Sequence, residues 1–355
     1  MQDLRVEKAA RVLVDYSTRV KKGDRVIIST QIDASPLALA VYKLCLKRDA
    51  YPVVRCSMPG TNYLFFKYAS DHQLRRFPKV AMYEMKNTDV FINIFANYNT
   101  REMAGIDPKR IASRSKVLDP IGRWRCDKTR WVLFEYPTQA SAQEAGMSIE
   151  EYEDFVFRAV DLNWTQFERK LARYAVFVNK AEHIRIVGDD TDIEMTVKGS
   201  NCVSGDGACN MPGGEIFTAP NKFSVNGRIK FDFPSIRYGS IVRGVALEFE
   251  KGKVVKATAE AGQDLLRAMI NTDEGASYVG ELGIGCNYNI TKHSNNTLFD
   301  EKIGGTVHMA LGNAYPECNG KNKSALHWDL IKDLRTNGKM YLDGKLFQKN
   351  GKFLV

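Results

Sequence analysis

The sequence predicts an α/β protein with an α/β first domain followed by a sheet-rich α+β domain. Helix and strand patterns alternate through the first half of the chain, which is typical of βαβ units around a parallel sheet. The second half carries short strands joined by Gly-, Asn- and Lys-rich turns. A chain of 355 residues is also too long for one ordinary hydrophobic core. We therefore expect two domains, 1–180 and 181–355.

The first domain is expected to alternate amphipathic helices with buried strands. Apolar residues recur at helical spacing over 4–20, and "RVIIST" (25–30) has the apolar run of a buried strand. A second helix is predicted over 35–50, with Pro36 at its start, where the missing N–H costs little. Further strands are predicted over 51–56, 88–96 and 130–137. The alternation is Rossmann-like, but no G-x-G-x-x-G follows the first strand, so we predict no dinucleotide site.

The elements that follow change in character near Lys180. A long helical segment over 148–178, interrupted at "DLNW", precedes two strands around the turn "GDDTD" within 183–199. Helical patterns return over 262–271 and around 300–314. The second half is thus predicted to be a mixed domain in which sheet predominates.

The helix predicted around 300–314 carries His308, and Tyr315 follows seven residues later, near the same helical face. Gly304 and Gly305 would weaken such a helix, so another group is expected to approach the backbone closely there. Glu301 lies on the same face, and a favourable interaction with the helix macrodipole is sufficient to explain it.

Composition and charge exclude several classes of protein. With 44% hydrophobic and 26% charged residues, the chain has the composition of a soluble globular protein. No uninterrupted apolar stretch approaches the length needed to span a bilayer. The net charge of +9 is dispersed and no nucleic-acid-binding signature accompanies it, so no nucleic-acid partner is expected. Seven scattered cysteines and a start without an apolar leader favour a cytoplasmic protein with reduced thiols.

Chemistry-bearing residues concentrate in the second half. In "ALHWDL" (325–330), a strand would send His327 and Asp329 to one face and three apolar side chains to the other. Glu215 in "PGGEIFTAP" and Glu281 in "GELGIG" stand among glycines and apolar residues, where a solvated charge is a poor explanation. With His308, these residues supply three carboxylates and two imidazoles, which two divalent cations and one bridging hydroxide would neutralise. Donors of this kind favour Zn²⁺, Co²⁺ or Mn²⁺.

Four long segments resemble the aminopeptidase T family of two-metal aminopeptidases. They are "MPGGEIFTAP", "NTDEGASYVGELGIG", "NTLFDEKIGGTVHMALGNAYPE" and "NKSALHWDLIKDLR", and "VEKAARVLVDYSTRVKKGDRVIIST" is similar to the start of the family's first domain. The resemblance implies an active-site tyrosine at Tyr315 and a homodimer. It also implies metal ligands at Glu215, Glu281, His308, His327 and Asp329.

The resemblance implies hydrolysis of the N-terminal residue from short peptides with a free N-terminus. Glu281 or Glu215 would act as general base, and Tyr315 would donate a hydrogen bond to the tetrahedral oxyanion.

Three alternatives stay open from the residues alone. The first is a mononuclear Fe²⁺ ring-cleaving dioxygenase on the same scaffold, because two histidines and a carboxylate suffice for its iron. The second is a metal-free binding protein. The third is a zinc site on Cys286, His293, Cys318 and His327, which lacks the spacing of structural zinc sites.

Overall fold

The computed structural model describes residues 3–237 and 240–355. The α-helices are α1 Leu4–Arg11, α2 Ser35–Lys47, α3 Thr61–Tyr68, α4 Asp71–Arg75, α5 Lys79–Lys86, α6 Pro108–Lys128, α7 Gln139–Glu144, α8 Ile149–Val160, α9 Trp164–Lys180, α10 Gln263–Ile270 and α11 Thr297–Asp300. Val12–Ser17 is a π-helical turn, and Ile32–Ala34, Glu274–Ser277 and Pro316–Cys318 are 3₁₀ turns. Within the described residues, no helix has the length and apolar character required to span a bilayer.

The strands are short, and most of them fall in the second half of the chain. They are β1 Arg25–Gln31, β2 Tyr51–Ser57, β3 Val90–Phe95, β4 Arg130–Glu135, β5 His183–Gly188, β6 Thr191–Thr196, β7 Val203–Gly205, β8 Asn210–Met211, β9 Glu215–Thr218, β10 Asn226–Lys230, β11 Ser235–Arg237, β12 Ser240–Val242, β13 Ala246–Glu250, β14 Lys253–Thr258, β15 Val279–Gly285, β16 Thr306–Gly312, β17 His327–Asp333, β18 Lys339–Leu342, β19 Lys345–Lys349 and β20 Lys352–Phe353.

The chain folds into two compact units. The first runs up to Leu162 and includes the short segment Gly207–Pro212, and the second contains Asn163–Asp206 and Gly213–Val355. The units divide at the "DLNW" interruption between α8 and α9, whereas residue 180, where the change in character was expected, is the end of α9.

The first unit is built around a parallel sheet in the order β2-β1-β3-β4-β8. Val26, Ile28, Val90 and Ile92 are buried in its central strands, as expected for strands covered by helices. The predicted alternation of helix and strand, and with it the α/β fold class, is confirmed.

The second unit is built from two large antiparallel sheets and the two-stranded sheet β11-β12. An eight-stranded sheet has the order β14-β13-β10-β6-β5-β18-β19-β20, and a five-stranded sheet has the order β17-β16-β15-β9-β7. One cluster of buried side chains includes Ile186 and Leu247 from the larger sheet and Leu282 and Leu330 from the smaller one. The predicted sheet-rich character of this half is therefore confirmed.

The helix predicted around 300–314 is wrong. Only Thr297–Asp300 forms a single helical turn, and Thr306–Gly312 is the strand β16, which pairs with β15 on one side and β17 on the other. Pairing on both sides stabilises the extended backbone despite the helix propensity of Met309, Ala310 and Leu311.

The expected close approach at the two glycines is present, although in a turn and not in a helix. Gly305 has a φ of +91°, and a Cβ on Gly304 would lie 2.5 Å from the ring of Tyr288. Both positions therefore require glycine.

Candidate metal centre

One face of the five-stranded sheet carries all five side chains predicted as metal ligands. Glu215 lies on β9, Glu281 on β15, His308 on β16, and His327 and Asp329 on β17. Cross-strand partners share a face, and the register pairs Glu281 with Ala310, which also pairs with Asp329. The strand pairing thus gathers residues that are up to 114 positions apart in the chain.

The opposite face of this sheet is apolar. Trp328 and Leu330 are 2% and 1% exposed, as predicted from the alternation in "ALHWDL". The other buried side chains of this face include Ile216, Leu282, Ile284, Val307, Met309 and Leu311. Burial of this face in the core holds the polar face in register, because a slip of one residue would exchange the two faces.

Gly283 makes room for the imidazole of His308. The two residues are cross-strand partners, and a Cβ on residue 283 would lie 2.0 Å from both Cε1 and Nε2 of the ring. The glycine in "GELGIG" therefore allows the ring to lie flat over β15, where it reaches the neighbouring carboxylates.

Nitrogen and oxygen atoms converge on this face. The Nε2 atom of His308 is 3.5 Å from an oxygen of Glu215 and 3.5 Å from an oxygen of Glu281. The Nε2 atom of His327 is 3.3 Å from the other oxygen of Glu281 and 3.6 Å from Asp329 Oδ1. Glu281 thus lies between the two imidazoles.

Backbone carbonyls orient both imidazoles. His308 Nδ1–H donates to the carbonyl oxygen of Glu301 at 3.1 Å, and His327 Nδ1–H donates to that of Asn313 at 2.9 Å. Since a carbonyl oxygen can only accept, the proton lies on Nδ1 and the lone pair of the neutral ring is on Nε2. Both Nε2 atoms face the carboxylates.

Burial and the opposite charges shift the pKa values of the whole group. Burial raises the pKa of Glu215 to about 7 and that of Asp329 to about 6. Burial would also raise the pKa of Glu281, but hydrogen bonds from the two imidazoles lower it to about 2. Burial disfavours charge on the imidazoles, yet the carboxylates raise the pKa of His308 to about 10 and that of His327 to about 9. Without a bound metal ion, protons on the histidines contribute to balancing the carboxylates.

The donor set fits divalent metal ions. Glu215 Oε2 and Asp329 Oδ1 are buried with no hydrogen-bond partner, which is costly for a carboxylate oxygen. The donor atoms form two groups, and the atoms of each group all lie within 4.8 Å of one another. One group consists of Glu215, Glu301 and His308, and the other of Glu281, His308 and Asp329. Carboxylate and imidazole donors at this spacing suit Zn²⁺, Co²⁺ or Mn²⁺.

Sequence reasoning missed two residues of this group. Glu301 was explained by a helix macrodipole, but it follows a single helical turn and is one of the three donors of the first group. Lys302 is fully buried and forms ion pairs with both Glu215 and Glu301. The seven-residue separation of Glu301 from His308 would place them on one face only in a helix, so the sequence offers no valid signal for either residue.

Tyr315 lies beside His327, on a loop after β16. Its hydroxyl is 3.4 Å from His327 Nε2, and its ring packs edge-on against Phe217. Burial, followed by the nearby carboxylates, raises the pKa of Tyr315, so the phenol keeps its proton and remains a hydrogen-bond donor.

The structure does not favour the alternative zinc site. His293 Nε2 lies 3.0 Å from Asp300, and its ring stacks on Phe233. Burial lowers the pKa of His293 to about 4 and raises that of Asp300 to about 7, so this contact is best described as a buried hydrogen-bonded pair.

Comparisons with known proteins identify the family. Residues 2–353 match the family described as thermophilic metalloprotease (M29). The chain is 27% identical to Aminopeptidase 2 of Geobacillus stearothermophilus, over 96% of this chain and 95% of that protein.

Two solved structures share the fold. Wild-type AmpT from Thermus thermophilus superposes with a TM-score of 0.85 at 21% identity, covering 99% of each chain. A 2,5-dihydroxypyridine dioxygenase from Pseudomonas putida KT2440 superposes with a TM-score of 0.65 at 16% identity, covering 99% of this chain and 97% of the other. Because the family match spans nearly the whole chain, the protein belongs to the thermophilic metalloprotease (M29) family, the aminopeptidase T family that its motifs resemble.

Proposed function

We propose that this metallo-aminopeptidase binds two divalent metal ions and removes the N-terminal residue from short peptides with a free N-terminus. The convergence of nitrogen and oxygen donors around two unpartnered buried carboxylate oxygens carries the proposal. The proposed ligands are Glu215, Glu281, His308, His327 and Asp329, with Glu301 as a further donor.

Divalent metal ions bound here would make a water molecule acidic enough to act as the nucleophile and would polarise the scissile carbonyl. Glu281 or Glu215 takes the proton of the attacking water and passes it to the leaving amine. Tyr315 donates a hydrogen bond to the oxyanion, for which its protonated phenol is suited. The buried carboxylates also offer a partner for the charged α-amine of the peptide.

The mononuclear iron dioxygenase is the weaker alternative. A single iron on such a triad needs two histidines and one carboxylate, whereas this group holds four carboxylates around two imidazoles. The excess of buried carboxylates supports a centre with two cations.

Metal content and chelation test the proposal. We expect two equivalents of Zn²⁺, Co²⁺ or Mn²⁺ per chain by elemental analysis, and release of p-nitroaniline from Leu- or Arg-p-nitroanilide that a chelator abolishes. Asp329→Asn removes the negative charge of a carboxylate whose Oδ1 is buried without a hydrogen-bond partner, and it should lower both metal content and activity. One iron with oxygen consumption would support the dioxygenase instead, and full metal-dependent activity of Asp329→Asn would contradict the proposed centre.

The resemblance to the family also carries the proposal of a homodimer, and the scattered cysteines carry the proposal of a cytoplasmic location. Light scattering coupled to size-exclusion chromatography tests the dimer, and cell fractionation tests the location.

A further inference from the structure

Lys302 is a fully buried lysine in contact with two carboxylates of the candidate metal centre. Its ammonium lies 3.3 Å from Glu215 Oε1 and forms a second ion pair with Glu301 Oε1. A buried ammonium is costly unless it is paired, so its position between two carboxylates requires an explanation.

We propose that Lys302 is a positioning residue that holds Glu215 and Glu301 in the arrangement that binds metal. The inference rests on the proposed two-metal function and assigns a role to a residue that cannot itself be a ligand while it is protonated.

The contacts of Glu215 show how the positioning works. The ammonium of Lys302 binds Oε1, and this leaves Oε2 directed at His308, 3.5 Å from Nε2 and without a hydrogen-bond partner. A free glutamate side chain samples several rotamers, and ordering it on metal binding costs free energy. With the ammonium in place, that ordering is complete before the metal arrives.

Charge explains why a lysine suits this place better than a neutral donor. The carboxylates of Glu215, Glu281 and Asp329, with one hydroxide, already balance two divalent cations. Glu301 adds a negative charge beside this group, and the ammonium of Lys302 compensates it. Lys302 thus allows a fourth, partly buried carboxylate to lie beside the other three.

The position of Lys302 predicts an unequal effect on the two metal ions. Both of its ion pairs involve the donor group of Glu215, Glu301 and His308, whereas the second group is completed by Glu281 and Asp329. Loss of the ammonium should therefore weaken one metal ion much more than the other.

Titration of the metal-free full-length protein with Co²⁺ tests this, followed by calorimetry and by the visible absorption of the bound ion. Wild-type protein should bind two equivalents. In Lys302→Met, one equivalent should keep its affinity and the other should weaken at least tenfold. Because this variant loses a positive charge, an effect of charge alone would tighten the binding of Co²⁺. Two equivalents that bind with unchanged or higher affinity would therefore overturn the proposal.

Lys332 provides the matched control. It is a buried lysine of the same sheet, 2% exposed and paired with Asp232 at 3.1 Å. Lys332→Met should retain both Co²⁺ equivalents, and a similar loss in this variant would overturn the specific role of Lys302.

A second variant covers the case in which Lys302→Met does not fold. Lys302→Gln keeps N–H donors but loses the charge, and it should also weaken one equivalent, while wild-type binding would overturn the proposal. Absence of metal binding by the wild-type protein would refute the proposed function itself, which is a different outcome from equal binding by wild type and variants.

Discussion

Replacing Gly283 with alanine tests whether the position of the His308 ring decides metal binding. The added Cβ would lie 2.0 Å from Cε1 and Nε2 of His308. Non-bonded heavy atoms prefer a separation of about 3.5–4.0 Å, so the ring or the strand must shift by about 1.5 Å. Metal–ligand distances tolerate only about 0.2 Å, so the shift should remove this nitrogen from both donor groups. We expect metal affinity to fall by at least about 10- to 100-fold.

The assay is calorimetric titration of the metal-free protein with Zn²⁺, combined with the rate of Leu-p-nitroanilide hydrolysis. Overpacking should also destabilise Gly283→Ala by about 1–3 kcal/mol, so thermal unfolding of the metal-free protein is measured first. Gly188→Ala is the control, because a Cβ at this position of β5 would meet its nearest neighbour, Lys332 Cε, at an ordinary 3.6 Å. Wild-type zinc affinity in Gly283→Ala would refute the reasoning and remove His308 from the centre.

Two further predictions follow from the pKa shifts. The raised pKa values of His308, about 10, and His327, about 9, mean that the metal-free protein holds protons on these rings at neutral pH. Metal must displace these protons, so metal affinity should rise about tenfold or more per pH unit between pH 6 and 8. Calorimetry in buffers of different ionisation enthalpy counts the protons that are released. A metal affinity that does not depend on pH would contradict this prediction. Tyr315→Phe should lower kcat by about 10²- to 10³-fold while KM and metal content stay near wild type, and a change in KM alone would exclude the oxyanion role.

The alternation in "ALHWDL" was informative because one face of this strand is buried in the core. The positions of His327 and Asp329 opposite apolar neighbours predict a polar face on a packed strand, and the structure has this arrangement. A period of two is a local property of the backbone, so it can be inferred without knowledge of the partners.

The segment around His308 shows where local reasoning failed. "TVHMALG" also alternates, with Val307, Met309 and Leu311 on the buried face, but its residues have enough helix propensity to suggest a helix. The hydrogen bonds to β15 and β17 decide the conformation, and they come from residues distant in sequence. The same error led to Glu301 being omitted from the predicted ligands, because its charge was attributed to a helix terminus.

The sequence by itself determined the class of the fold, the residues with the chemistry for a metal centre and, through long motifs, the family. Composition, local periodicity and short motifs are properties of neighbouring residues, and a single chain displays them directly. Only the tertiary structure decided that Gly283 makes room for the ring of His308 and that Lys302 forms ion pairs with Glu215 and Glu301. Burial of an ammonium depends on which carboxylates the strand register brings within reach, and that register is a property of the whole sheet.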